Sequence, residues 1–208
     1  RFLPISPSIL DEVLAIARGI PNDGIRPGVL CLVAEHMAVA DRIAVLFETF
    51  EDAKNIPDDD DREYALYAVA QSVPTEAPSL FEAVLEELPY VTSEHRCANA
   101  LLALSRRIPV DHPGLRLRIL EIALQLPYQE ETGHIIGNVA SDWAAASRVA
   151  GSTETALLAD TLLAFAHVGR SELVGILRAL TPLIKRLGGE IAVRGTADAI
   201  MDTAEWWP

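Results

Sequence analysis

The sequence predicts an all-α protein: antiparallel helical hairpins stacked as an α-solenoid, closed by an atypical C-terminal capping unit. Three observations predict it. Proline follows an apolar residue at Ile20-Pro21, Ile56-Pro57, Leu88-Pro89 and Leu126-Pro127, at intervals of 36, 32 and 38 residues. Between these stops, apolar residues recur at the three- and four-residue steps of a helix face. The composition is 50% apolar and led by alanine and leucine, which favours helix.

Proline has no N–H and restrains the residue before it, so a helix tends to end there. The unit is written most fully from Leu80 to Pro109. LFEAVLEELP is a helix and its stop, and YVTSEHRCANALLALSRRIP is a second helix and its stop. The other second helices are GVLCLVAEHM, REYALYAVAQSVP and HIIGNVASDWA. Two second helices close on Pro74 and Pro109, 35 residues apart. A period of this length is that of helix-pair repeats, so the expected architecture is HEAT-like. One hairpin cannot bury its own apolar face, and a neighbour must cover it. The chain is therefore read as one α-helical repeat domain, 1–208, with units at 8–37, 38–74, 75–109 and 110–150 and the cap at 151–208.

The first helix starts at Ser8 and places Ile9, Val13, Ile16, Ala17 and Ile20 on one face. The segment NDGIRPG then reads as a turn, with Pro27-Gly28 inside it, and the second helix runs from Val29 to Met37. Ala38 to Asn55 is a helix that buries Ile43, Leu46, Phe47 and Phe50. The acidic run Asp58 to Asp61 lacks the glycine and the glutamate of a calcium loop. It reads as a helix N-terminus, capped by Asp58 or Asp59, for the helix Arg62 to Val73. Leu80 to Leu88 and Ser93 to Ile108 follow, with Ser93 as cap, and then Leu115 to Leu126. Ile135, Ile136, Val139 and Trp143 are the packing residues of the next helix, and Glu154 to His167 is strongly periodic. In the last third, Thr181-Pro182 is expected to break a helix. Gly188-Gly189 is expected to stop one, and Glu190 to Ala204 is the last helix.

Composition excludes several classes. A formal net charge of −13 argues against a phosphate-tracking surface, so nucleic acid is not an expected partner. No apolar run approaches the ~20 residues of a membrane span, and no membrane partner is expected. Cys31 and Cys97, the only 2 cysteines, both stand on apolar helices and read as buried free thiols suited to a reducing cytoplasm. The chain begins at Arg1 without a methionine, as a fragment or a processed product would.

Chemistry is scarce in the sequence. No glycine-rich phosphate loop, H-E-x-x-H or nucleophile elbow occurs, and the 5 histidines are scattered. No catalytic residue, metal site or cofactor is expected. The leading expectation is a non-enzymatic recognition or scaffold module that binds a protein or peptide. Tyr64, Tyr67, Tyr90 and Arg96 would act on inner helices; Trp206 and Trp207 would either anchor a partner at the chain end or fold back over the last apolar groove, the second being the favoured reading. The alternative is a small-ligand protein or a lyase-like enzyme with a pocket between helices, lined by Tyr128, Glu131, His134 and Trp143.

The stretch RSELVGILRALTPLIKRLGGE…ADAIMDTAEWWP resembles the C-terminal end of a bacterial helical-repeat family. The order there is R-S-x-L, L-R-A-L-x-P-x-I, L-G-G-E, A-x-A-I-x-D and W-W-P. The resemblance covers Arg170 to Pro208 well, and LAIARGIP and ALLALSRRIP more loosely. It implies the repeat array of a large signalling or conflict protein, with NACHT/STAND-type ATPase, caspase-like or trypsin-like domains upstream. The array would be the sensor or regulatory part, with those upstream domains as partners.

Overall fold

Several helix starts fall where the sequence places them, as the Asp58 and Ser93 caps show. The structure, a computed structural model, describes residues 7–108, 112–126, 130–146, 159 and 170–204. Among the described residues every regular element is a helix, and no strand occurs. The contacts divide the chain into two compact units, 1–115 and 116–208.

The first unit holds α1 (Pro7–Arg18), α2 (Arg26–Ala34), α3 (Val39–Lys54), α4 (Asp59–Ser72), α5 (Pro78–Glu87) and α6 (Glu94–Ser105). A 3-10 turn, Leu88–Tyr90, separates α5 from α6. The Asp58 side chain accepts from the Asp61 N–H at 3.0 Å, and Asp59, Asp60 and Asp61 fill the first turn of α4. An acidic first turn faces the positive end of the helix dipole, so the aspartate run is a helix start. Ser93 caps α6 in the same way, accepting from Arg96 N–H at 3.4 Å.

Packing is continuous across these helices. The helix α4 lies against both α2 and α6, while α3 packs on α2 and α4 and touches α5. Leu30 of α2, Leu46 and Phe50 of α3, Val69 of α4, Phe81 and Leu85 of α5, and Leu101 and Leu104 of α6 are buried. Each such side chain contributes about 1.5–3 kcal/mol of transfer free energy.

Two expectations for this unit need correction. Part of the expected apolar stripe of α1 faces solvent: Ile9, Val13 and Ile16 are exposed, Ile16 by 70%, while Ala17 of that stripe is buried beside Leu14 and Ile20 is half-buried. A stripe at three- and four-residue steps marks two adjacent faces of a short helix, and here the neighbour lies on the Leu14 side. Secondly, Pro27-Gly28 is not a turn. Pro27 is the second residue of α2, within the first turn where an N–H has no helical partner, and the helix begins at Arg26, three residues earlier than read.

α7 (Pro113–Ala123) begins in the first unit and runs into the second. The second unit further holds α8 (Glu130–Ala146) and α9 (Arg170–Ala204), which pack on each other. Gly137 gives α9 close access to α8: a Cβ there would stand 3.5 Å from the Ala179 Cβ. Ile135, Ile136 and Val139 of α8 are buried, as are Ile176, Leu180 and Leu183 of α9.

The expected break at Thr181-Pro182 does not occur, because the helix runs through Pro182. Thr181 donates its hydroxyl back to the Leu177 carbonyl at 3.1 Å, a local bond that helices tolerate with a slight bend. The expected stop at Gly188-Gly189 does occur. Gly189 has φ 65° and ψ −163°, a region almost closed to other residues, and α9 is two helical pieces joined there. Lys185 and Glu190 pair across the joint at 2.5 Å. The periodic stretch 154–167 lies outside the described residues, apart from 159.

Candidate functional site

Three helices of the first unit build a groove of about 540 Å³. Ile25, Gly28, Leu32 and Glu35 line it from α2 and its ends, Tyr64, Ala68 and Gln71 from α4, and Ala103, Arg106 and Arg107 from α6 and its C-terminus. Each helix places a small residue in the lining, Gly28, Ala68 or Ala103, and the missing side-chain volume is what opens the space. Above them stand apolar side chains that water reaches: Ile25, Leu32 and Tyr64 are 55%, 64% and 50% exposed.

The groove has a direction. Glu35 follows the last residue of α2, Ser72 is the last of α4 and Arg106 follows the last of α6, and all three line it. The C-terminal ends of the three helices therefore gather at one end. Gly28 and Tyr64, from the opening halves of α2 and α4, meet at the other, where a Cβ on Gly28 would stand 3.7 Å from the Tyr64 ring. One end is thus apolar and aromatic, and the other polar.

Arginines finish the polar end. Arg42 donates to the Ser72 carbonyl at 2.7 Å, and Arg107 donates to the Gln71 carbonyl. Cations there satisfy the orphan carbonyls of α4 and oppose its dipole. Arg106 is exposed and has no carboxylate partner among the described residues.

Cys31 also lines the groove but is buried, and loss of hydration pushes its thiol up to about 12. Burial pushes Cys97 up to about 11. A thiolate is the reactive form, so neither residue is poised as a nucleophile.

The expected site residues scatter. Tyr64 stands in the groove. Tyr67 is half-buried and takes a hydrogen bond from Gln71 on its own helix. Tyr90 is 77% exposed, on the 3-10 turn, away from the groove lining. Arg96 is engaged elsewhere. Its guanidinium donates to Asp60 Oδ1 at 2.7 Å and to Glu63 Oε2 at 3.2 Å, which ties α6 to α4. A cation in the first turn of a helix is unfavourable alone, and these two acids are what hold it there.

Glu63 is the centre of that tie. Its Oε1 accepts from Thr92 N–H at 2.6 Å, from the Thr92 hydroxyl at 2.7 Å and from Ser93 N–H at 3.3 Å. Burial alone pushes its carboxyl up, but the bonds from Thr92, Ser93 and Arg96 outweigh it, and the net direction is down.

In the second unit, Glu131 is half-buried and His134 exposed, both on α8. Tyr128, Trp206, Trp207 and the Trp143 side chain lie outside the described residues. A smaller cleft of about 190 Å³ separates the two pieces of α9, between Leu177 and Ile184 on one side and Val193 and Ile200 on the other. Among the described residues no group of acids, histidines and cysteines has the arrangement of a metal site. No helix among them is long and apolar enough to cross a membrane.

Sequence reasoning passed over Leu32, Ala68, Ala103 and Arg106. One signal was available: a small residue on each second helix at Gly28, Ala68 and Ala103, amid larger apolar neighbours. Compared with family models, curated proteins and solved structures, the chain matches none.

Proposed function

We propose that this chain is a non-enzymatic recognition module, a HEAT-like stack of helical hairpins whose α2–α4–α6 groove takes a segment of a protein partner. The observation that carries the reading is the groove itself. It runs across α2, α4 and α6, and its apolar side chains Ile25, Leu32 and Tyr64 are exposed to water. An exposed apolar surface with a polar rim is the usual form of a protein contact.

On this reading the array is the sensor or regulatory part of a larger bacterial protein, with the C-terminal pieces of α9 as the capping unit. The resemblance of Arg170 to Pro208 to the end of bacterial signalling arrays supports it. Upstream domains or a separate protein would be the partner, in the cytoplasm.

The test is affinity capture from the native extract, with proteins and small molecules both read by mass spectrometry. The chain is compared with Ala68→Trp, which fills the groove, after thermal melts confirm both are folded. A stoichiometric protein partner that is lost with Ala68→Trp is the expected result. A partner indifferent to that change, or a bound small molecule with no protein, contradicts the reading.

A further inference from the structure

We infer that the groove selects an acidic peptide segment, one that carries an apolar anchor residue beside a carboxylate. The inference rests on the recognition reading above and names the partner's chemistry. The apolar end supplies the anchor's place: Ile25, Leu32 and Tyr64 surround space left open by Gly28 and Ala68. An aliphatic or aromatic side chain seated there would cover exposed apolar area that the chain itself leaves wet.

The polar end supplies the charge. Arg42 and Arg107 cover the last carbonyls of α4, so the negative end of that dipole is already answered. Arg106 then stands on the α6 wall as a guanidinium with no carboxylate among the described residues. Most other arginines of the unit are engaged: Arg18 with Glu48, Arg26 with Asp23, Arg62 with Asp59 and Arg96 with Asp60 and Glu63. In a chain of net charge −13, an arginine with no carboxylate partner among the described residues, beside an apolar groove, is a local exception. A planar fork of donors suits a carboxylate that can accept two bonds.

The opposite wall sharpens the selection. Glu35 lines the groove on the α2 side, and it repels a carboxylate placed there. An acidic segment therefore has one favourable register, with its anchor between α2 and α4 and its carboxylate toward α6. The surplus negative charge elsewhere discourages acidic partners from docking off the groove.

The experiment is selection of a displayed library of random 12-residue peptides on the immobilised full chain. The enriched peptides are then measured against Leu32→Asp, Arg106→Glu and the parent. The expected peptides carry Asp or Glu within a few residues of Leu, Phe or Trp. Their affinity falls about tenfold or more with Arg106→Glu, the scale of one lost charge-assisted contact. Changing the peptide's carboxylate to lysine restores affinity for Arg106→Glu, which a merely structural role of Arg106 cannot do. Peptides that need Leu32 but not an acid overturn the acidic partner and leave the groove reading standing. Peptides indifferent to Leu32→Asp, or no enrichment at all, overturn both.

Discussion

Arg62 reaches back six residues and donates to the Ile56 carbonyl at 3.2 Å, while its other nitrogen pairs with Asp59. Arg26 does the same at the start of α2, donating to the Ile20 carbonyl at 3.1 Å and pairing with Asp23 at 2.7 Å. Both stand in the pattern I-P-x-D-x-x-R, as IPNDGIR and IPDDDDR. The proline follows the end of the first helix, the arginine takes the carbonyl just before that proline, and the aspartate orients the arginine. A guanidinium reaches the two partners from two nitrogens of one rigid plane, whereas an ammonium carries all its donors on one nitrogen. Arg62→Lys should therefore cost nearly as much as Arg62→Ala, about 1–2 kcal/mol for a half-buried charge-assisted bond. Urea midpoints of the two variants check this, and full rescue by lysine would refute the two-bond role.

The Glu63 clasp predicts a pH dependence. The folded carboxyl is held below its ordinary value, so the folded state binds fewer protons than the unfolded state near the carboxyl range. Its stabilisation is therefore present above the unfolded value of about 4.3 and is lost as pH falls through the folded value. Glu63→Gln should cost about 1–3 kcal/mol near neutral pH. The gap between variant and parent should shrink on acidification. Denaturation midpoints across the acid range measure it, and a gap that widens instead would reverse the assignment.

The two thiols predict the opposite limb. Their folded values, raised to about 12 for Cys31 and about 11 for Cys97, lie above the unfolded value. The stabilisation is complete below an unfolded value of about 8.5 and declines as pH rises toward the folded ones. Neither thiol should react with an aromatic disulfide reagent at neutral pH until the chain unfolds. Prompt labelling of the native protein would contradict the burial.

Core and surface predictions separate the true packing faces. Leu85 is 1% exposed, and Leu85→Ala should cost about 2–5 kcal/mol. Ile16→Ala, on the solvent side of α1, should stay within about half a kcal/mol. Chemical denaturation of both variants decides which face of α1 packs within this unit.

Gly189→Ala should cost about 1–3 kcal/mol, since no side chain is at ease at its backbone angles. A Cβ there meets nothing within 4 Å, so the cost is backbone strain alone. The equivalent change at Gly114, where a Cβ also meets nothing within 4 Å, is the control. Thermal melts of both test it, and equal values would remove the hinge.

Much of the helical fold was legible because its signals are local. Proline stops, the Asp58 and Ser93 caps and the Gly188-Gly189 end each act within a few residues. The misreadings came where tertiary contacts choose. On α1 the periodicity permits two faces, and only the position of α2 selects Leu14 and Ala17. At Pro182 the packing of α9 on α8 keeps the helix running. The groove was less legible still. Tyr64 was visible as an aromatic on a helix, but Leu32 and Arg106 belong to different helices far apart in sequence, and only packing makes them neighbours of one space. Arg96 looked free because its acids, Asp60 and Glu63, are on another helix.

The most direct test of the account is site-specific photo-crosslinking in cells that make the protein. A photoreactive residue is placed at Leu32 in the groove, or at Ile191, which is 87% exposed on α9. The account predicts a discrete protein adduct from position 32 that disappears when Ala68→Trp fills the groove, and none from position 191. Adducts from 191 alone, or adducts from 32 that survive the filled groove, would contradict it.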